Sequence, residues 1–239
     1  MCPPAGGGSD IAARLAAVRE RIAAAARRAG RDPASVRLVA VSKTFGVEHV
    51  RAAAAAGQVD FGENKVQEAL QKIDGTADLG IKWHLVGHLQ SNKARKAAAS
   101  FNAIHSVDDV ALVGKLDEAA HEAGRRVDLL VQVDLAGEST KHGAREQDLA
   151  PIFESARSCR AVRIVGLMLL PPAVGAPEQA RPYFRALNAM RDRLLARGVD
   201  TSMLAELSMG MSHDFEVAVE EGATLVRVGT AVFGERHYV

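Results

Sequence analysis

The sequence predicts an α/β fold, a single (β/α)8 TIM barrel with an extra N-terminal helix. Eight short apolar runs alternate with helical patterns, and no low-complexity linker divides the chain. Strands that alternate with helices form a parallel sheet, and eight such units close into a barrel. The length of 239 residues suits one domain of this kind. An open doubly wound sheet is the alternative.

An amphipathic helix is predicted over residues 10–29, before the first strand. Its apolar residues recur every three or four positions and form one stripe, made of Ile11, Leu15, Val18 and Ile22. Gly30 ends this helix. Residues 1–9 contain Pro and Gly and are predicted to form a flexible tail. The barrel domain is therefore assigned to residues 10–239.

The barrel elements follow in order along the chain. Eight strands are predicted at residues 37–42, 59–62, 82–86, 101–105, 127–135, 163–169, 204–209 and 225–233. Helices are predicted between them at residues 47–56, 63–73, 92–99, 108–122, 147–156, 178–196 and 213–220. Ser106 and Asp109 form a predicted capping box for the fourth of these helices, and Ser212 is a predicted cap for the last.

Composition favours a small-molecule partner in the cytoplasm. Lys and Arg total 30 against 29 Asp and Glu, so the net charge of +1 gives no broad field for nucleic acid or an anionic membrane. Cys2 and Cys159 alone make neither a disulfide framework nor a four-cysteine metal site. Met1 to Gly8 lack the pattern of a signal peptide. The apolar run 164–170 is too short to cross a bilayer.

Polar residues follow most of the predicted strands. They are Ser42 and Lys43, Glu63 and Asn64, Gly87 and His88, His105 and Ser106, Ser208 to Ser212, and Gly229 and Thr230. Barrel active sites lie at the C-terminal ends of the strands. These residues are therefore the predicted site.

Lys43 is the candidate nucleophile. It follows an apolar strand, and desolvation at a barrel mouth lowers the pKa of an amine and makes it able to form a Schiff base. An ordinary solvated lysine is the alternative.

The loops after strands seven and eight are the candidate phosphate site. Gly210 and Gly229 allow close backbone approach, while Ser208, Ser212 and Thr230 supply hydroxyl groups. Two glycine turns with a capping serine are the alternative interpretation.

The sequence leaves open which way the side chain of Arg227 points, and it places two histidines near the site. Arg227 precedes Gly229 by two residues, so both point to one face of the strand, either toward a ligand or outward to a carboxylate. His84 and His88 are four residues apart, a metal-ligand spacing on a helix but not across a strand and its loop. No metal site is predicted, and His84 is expected to form hydrogen bonds inside the barrel.

Several motifs together resemble the pyridoxal phosphate homeostasis protein family, also known as the YggS or PROSC family. The matching segments are 41–44, 61–64, 83–93, 104–108, 166–168, 207–212 with Asp214, 226–230 and 233–234. The resemblance spans about residues 10–235 in order. The sequence departs from the family pattern at Phe45, Gly46 and Lys65, which affects local contacts.

The resemblance implies a barrel like the N-terminal domain of alanine racemase, with pyridoxal 5'-phosphate as cofactor. Lys43 matches the lysine that bonds the cofactor, and Arg227 matches the residue near its pyridine nitrogen. The expected phosphate positions are Ser208, Ser212, Gly229 and Thr230. Asn64 and Met168 match positions near the cofactor.

Three functions are compatible with these residues. The first is storage, buffering or delivery of pyridoxal phosphate, with apo forms of enzymes that use this cofactor as possible recipients. The second is an amino-acid racemase, which needs a second base. Tyr183 and Tyr238 lie in no matching motif, and little chain follows the eighth strand to form a second domain. The third is an aldolase for phosphorylated sugars. A monomer or weak dimer is expected, because no apolar stripe is left uncovered.

Overall fold

The computed structural model describes residues 7–135 and 142–235, which contain a closed barrel of eight parallel strands. The strands are β1 (Arg37–Val41), β2 (Asp60–Glu63), β3 (Lys82–Leu85), β4 (Ala103–Val107), β5 (Val127–Val133), β6 (Val162–Leu169), β7 (Glu206–Ser208) and β8 (Leu225–Val228). Each strand pairs with the next in sequence, and β8 pairs with β1, where Val39 lies opposite Arg227. The predicted (β/α)8 TIM barrel is confirmed, and the open sheet is wrong.

Helices cover the outside of the barrel. They are α1 (Gly7–Arg28), α2 (Val47–Ala55), α3 (Val66–Asp74), α4 (Ala94–Ser100), α5 (Val110–Glu122), α6 (Glu146–Ala156), α7 (Arg181–Ala196), α8 (Phe215–Glu220) and α9 (Thr230–Phe233). The apolar stripe of α1 is buried as predicted, and this helix packs against α2, α8 and α9. None of the helices in the described part of the chain is long and apolar enough to cross a membrane.

Two apolar clusters result from the alternation of side chains along the strands. On β1, Leu38 and Ala40 point outward into the large cluster between sheet and helices, while Val39 and Val41 point into the barrel. The other buried members of the inner cluster are Val86, Leu130, Met168 and Leu225. The barrel interior is thus a packed apolar core, and the few polar side chains that point into it need partners there.

The last predicted strand is too long. It ends at Val228 rather than at Phe233, and Thr230–Phe233 form the short helix α9. Gly229 takes a backbone conformation of φ −110° and ψ −77° that leaves the extended region, so the chain turns there. A short apolar run fits a buried helix and a strand equally well, which is why the sequence pattern misleads.

Other predicted boundaries and helix caps also differ from the structure. Ser106 is a buried residue of β4, so Asp109 alone caps α5, its carboxylate accepting a hydrogen bond from the Leu112 N–H at 2.7 Å. Glu63 ends β2 and does not begin α3. Ser212 does not cap α8, which begins after Asp214. Helix α1 begins three residues inside the predicted tail, while residues 1–6 lie outside the described residues.

Candidate cofactor-binding site

A cavity of about 530 Å³ opens at the C-terminal ends of the strands. It is lined by six of the eight cofactor positions that the family resemblance implies, namely Lys43, Asn64, Ser212, Arg227, Gly229 and Thr230. These residues lie on or just after strands β1, β2, β7 and β8, so the site is assembled across the barrel mouth. Its volume lies in the range of pockets that hold small molecules.

Lys43 lies in the turn that follows β1, half-buried on the cavity wall. Its neighbours are fixed on both sides. The Ser42 carbonyl accepts a hydrogen bond from the Lys72 ammonium at 2.8 Å. The Thr44 N–H donates to the Glu68 carboxylate at 2.5 Å, and Thr44 has a positive φ of 71°. Since this conformation is costly for a β-branched residue, these contacts hold the lysine turn in place.

The contacts around Lys43 belong to a charged cluster, Ser42–Glu63–Lys72–Glu68, in which all members but the half-buried Glu68 are buried. The Glu63 carboxylate accepts hydrogen bonds from the Lys72 ammonium and the Ser42 hydroxyl, both at 2.6 Å, and Lys72 also donates to Glu68 at 2.9 Å. Burial raises the pKa of Glu63 despite these bonds. Burial also acts to raise the pKa of Glu68, but the hydrogen bonds from Lys72 and Thr44 outweigh it and lower that pKa.

The loops after β7 and β8 are joined by one hydroxyl group. Ser212 Oγ accepts hydrogen bonds from the N–H groups of Gly229 at 3.1 Å and Ala231 at 3.4 Å. The buried Asp214 carboxylate accepts from the Met211 N–H at 2.7 Å and orders the same loop. Burial raises the pKa of this carboxyl group, against the opposing effects of the Met211 N–H and Arg227. Hydroxyl and N–H groups at the start of a short helix are suited to phosphate oxygens.

Gly210 allows the loop after β7 to lie close to α8. Its φ is +91°, and a β-carbon there would lie 2.6 Å from Ala218 Cβ and 3.0 Å from Phe215 Cα. Only glycine meets both conditions without strain. The predicted close approach therefore occurs, but it is to a helix of the protein itself.

Arg227 lies inside the barrel at the floor of the cavity, with 4% exposure. It donates hydrogen bonds to Ser208 Oγ at 2.6 Å and to the Leu169 carbonyl at 2.8 Å. Burial lowers its pKa to about 10, with Asp214 acting in the opposite direction. The guanidinium thus stays charged at neutral pH and offers only donors to a ligand. An outward-facing Arg227 paired with a carboxylate is excluded.

Ser208 and Met168 do not line the cavity. Ser208 is fully buried at the end of β7, where it points into the barrel and contacts Arg227. Met168 is fully buried in the inner cluster. Both lie below the cavity floor because the strand positions that point inward at this level form the packed core. Their predicted contact with a ligand is therefore not part of this geometry.

The two histidines at positions 84 and 88 have separate environments. His84 forms hydrogen bonds inside the barrel with His105 and Asp60, as expected from the sequence. His88 lies at the cavity rim and stacks on His142, with ring centroids 3.5 Å apart and planes inclined by 6°. Asp108 lies close to both rings. One ligand atom from each of these three residues lies within 4.8 Å of the other two, so the group could hold a metal ion.

Other residues of the cavity wall were not assigned from the sequence. They are Val41, Phe45, Val86, Leu170 and His213, whereas Gly87, His88 and Met211 belong to the polar segments predicted after the strands. Phe45 packs against Phe233, with ring centroids 5.2 Å apart, at a position where the sequence departs from the family pattern. Most of these residues lie at or just after the end of a strand, and that position could have marked them. Side chains in a loop do not alternate regularly, however, so the sequence does not show which of them point into the cavity.

Comparison with known proteins defines the class. Residues 13–237 match the family described as "Alanine racemase, N-terminal domain". An alanine racemase of Clostridium difficile has a TM-score of 0.72 at 14% identity, over 95% of this chain and 57% of that chain, which shows a shared fold.

The chain belongs to the pyridoxal phosphate homeostasis protein family, which confirms the resemblance seen in the motifs. The relatives of that name from Aquifex aeolicus and Pseudomonas aeruginosa are 43% and 44% identical over 94% and 96% of this chain, and over 98% and 97% of theirs. PipY of Synechococcus elongatus, solved with PLP bound, has a TM-score of 0.83 and 42% identity over 94% of this chain and 100% of that chain.

Proposed function

We propose that this protein binds pyridoxal 5'-phosphate in the cavity at the barrel mouth and takes part in the intracellular homeostasis of that cofactor. One observation carries the proposal: Lys43, Arg227 and the two loops joined by Ser212 line one cavity. An amine, a buried cation and an oxyanion-binding loop are the groups that an aldehyde, a pyridine ring and a phosphate require. The relative solved with PLP bound supports the assignment.

Each residue has a proposed role. Lys43 holds the cofactor as a Schiff base, while Ser212, Gly229 and Thr230 hold the phosphate. Arg227 faces the pyridine nitrogen, which must accept a hydrogen bond because a guanidinium can only donate. Asn64 contacts the cofactor from the wall, and Ser208 acts through Arg227. Bound pyridoxal phosphate supplies an aldehyde that exchanges reversibly between amines.

Homeostasis is favoured over racemisation by the composition of the cavity. Its described lining contains His88 and His213 but no tyrosine, and Tyr183 packs in the outer cluster on α7. Tyr238 lies outside the described residues. An unprotonated pyridine ring beside Arg227 is also a weaker electron sink. Storage, buffering or delivery in the cytoplasm, with apo-enzymes as recipients, needs only reversible exchange.

A titration with pyridoxal phosphate tests the binding proposal. We expect one equivalent to produce a saturable visible absorption band in the wild type and none in Lys43→Ala. Lys82→Ala is the matched control, because Lys82 is an exposed lysine at the opposite ends of the strands. A band of equal size in Lys43→Ala, or its loss in the control, would contradict the proposal.

A second assay separates homeostasis from racemisation. The loaded protein is incubated with L-amino acids and the products are resolved by chiral chromatography. We expect no D-enantiomer beyond that formed by free pyridoxal phosphate. When an apo-enzyme is added, we expect the loaded protein to restore the activity of that enzyme. Rapid protein-dependent racemisation would instead favour the racemase.

A further inference from the structure

Five polar side chains form one hydrogen-bonded chain through the barrel interior. Asp60 Oδ1 lies 3.0 Å from His84 Nε2, and His84 Nδ1 lies 2.9 Å from His105 Nε2. His105 Nδ1 lies 2.9 Å from Ser208 Oγ, which accepts from Arg227 at 2.6 Å. The chain begins at the first residue of β2 and ends at the cavity floor, so it links the two ends of the barrel.

The two ends of this chain fix the direction of every hydrogen bond. Arg227 can only donate, and an ionised Asp60 can only accept. Burial acts to raise the pKa of Asp60, but the hydrogen bond from His84 and the nearby charges of Arg37 and Lys82 outweigh it, and the pKa is lowered. Each member between the ends has one donor and one acceptor. The Ser208 hydroxyl therefore donates to His105 Nδ1, and both histidines carry their proton on Nε2.

The opposite direction leaves a mismatch. If His84 were an imidazolium donating to His105, then His105 would donate to Ser208, which already accepts from Arg227. The Ser208 hydroxyl proton would then have no acceptor among the hydrogen bonds of the described residues. Burial, with the nearby charges of Arg227 and Arg37, also lowers the pKa of His105 well below its usual value. Two neutral histidines satisfy every donor and acceptor.

We propose that Asp60, His84, His105 and Ser208 form a positioning relay for Arg227, which transmits the charge of Asp60 to the guanidinium at the cavity floor. Aligned hydrogen bonds polarise one another in a buried environment, so a carboxylate at one end strengthens the bond that Ser208 accepts at the other. Asp214 also acts on Arg227, through its charge and outside the relay. The identity of the ligand that Arg227 meets rests on the proposed function, whereas the relay itself does not.

The first test uses the protein without cofactor. Long-range ¹H–¹⁵N correlation spectra of ¹⁵N-histidine-labelled protein report the tautomer of each ring. We expect His84 and His105 as neutral Nε2–H tautomers, with His105 still neutral at a pH where an ordinary histidine is charged. Ser208→Ala should change the His105 signals, because it removes the donor to Nδ1. An Nδ1–H tautomer at either ring in the wild type would overturn the relay, whether or not the protein binds pyridoxal phosphate.

The second test measures the effect on the bound cofactor. Removing the charge of Asp60 leaves Arg227 less compensated, so the positive potential at the cavity rises and protonation there is disfavoured. In Asp60→Asn we expect the pH midpoint of the visible band to fall by about 0.5 unit or more, about a threefold change in proton affinity. We expect His105→Gln, which keeps a donor and an acceptor, to shift the midpoint less than His105→Leu.

Asp128→Asn is the matched control for the second test. Asp128 lies near the start of β5, at the same end of the barrel, and its carboxylate accepts from Arg163 at 2.6 Å. We expect its midpoint to match the wild type.

Equal midpoints in Asp60→Asn and the wild type would overturn the relay. If Asp60→Asn does not fold by circular dichroism, Ser208→Ala is expected to shift the midpoint and decides in its place. Failure of every variant and the wild type to develop a visible band would overturn the proposed function, and the histidine spectra would still judge the relay.

Discussion

At the scale of residues, the position of Lys43 depends on charges that do not touch the cavity. Lys72 is 4% exposed and holds the Ser42 carbonyl on one side of Lys43, while Glu68 holds the Thr44 N–H on the other. The family motifs identified Lys43, but nothing in the sequence pattern marked Lys72. A lysine on an amphipathic helix is normally solvated, and only the packing of α3 against β2 buries this one.

Replacement of Lys72 should expose this dependence. In Lys72→Met the carboxylates of Glu63 and Glu68 lose their shared cation, and breaking a buried ion pair in this way costs about 3–5 kcal/mol. We expect a loss of that size in the free energy of unfolding from urea titrations at pH 7. Lys96→Met, at an exposed position on α4, serves as the control and should change little. Equal stability of the two variants would contradict the role of the cluster.

At the scale of elements, the loop between β7 and α8 is shaped by the close approach at Gly210. Gly198 is a matched position, because its φ is +87° against +91° at Gly210, but nothing lies within 4 Å of a β-carbon placed there. Gly198→Ala should therefore show the backbone cost alone, about 1–2 kcal/mol. Gly210→Ala should cost about 1–3 kcal/mol more through overlap with α8. Urea unfolding of both variants measures this difference. Equal losses in the free energy of unfolding would show that α8 moves aside without strain, which would contradict the prediction.

Ion pairs between α7 and α8 hold the same region and give it an acid dependence. Arg181 contacts Glu220 and Glu221 at 2.8 and 2.6 Å. The hydrogen bond from Arg181 lowers the pKa of Glu220, and Arg181 with Arg185 outweighs the effect of burial to lower that of Glu221. Since both folded pKa values are depressed, this stability is present above the ordinary value of about 4.3 and is lost as pH falls through the folded values.

A single variant tests this linkage. We expect Arg181→Gln to lower the free energy of unfolding by about 1 kcal/mol at pH 7. The difference from the wild type should shrink as the pH falls below the ordinary value and both carboxylates become protonated. Urea titrations at several pH values measure it. A difference that stays constant from neutral to acid pH would mean that Arg181 acts through packing and not through these charges.

The order of strands and helices is the feature that the sequence predicts best. The alternation of strands and helices predicts the barrel, and the C-terminal ends of its parallel strands must then open at one mouth. For that reason Lys43, Ser212 and Arg227 could be brought together from the sequence. The chain from Asp60 to Arg227 could not, because it depends on the register of five strands and on which side chains cross the interior. Helix α9 was likewise hidden in an apolar run.

At the scale of the whole molecule, the described surface favours a monomer or weak dimer. The large apolar side chains exposed among the described residues are Val59, Val110 and Met211, which come from three separate segments. Single exposed apolar residues are normal in monomeric proteins. We expect light scattering after size-exclusion chromatography to give the mass of one chain at micromolar concentration. A stable larger assembly would contradict this and point to an interface of polar composition.

The most direct measurement of the central claim is the site of covalent attachment. The protein is loaded with pyridoxal phosphate, reduced with borohydride, digested and mapped by mass spectrometry. We expect one modified peptide, carrying the reduced adduct on Lys43, at close to one equivalent per chain. An adduct spread over surface lysines, or concentrated on a lysine outside the cavity, would contradict the assignment of this barrel mouth as a pyridoxal phosphate site.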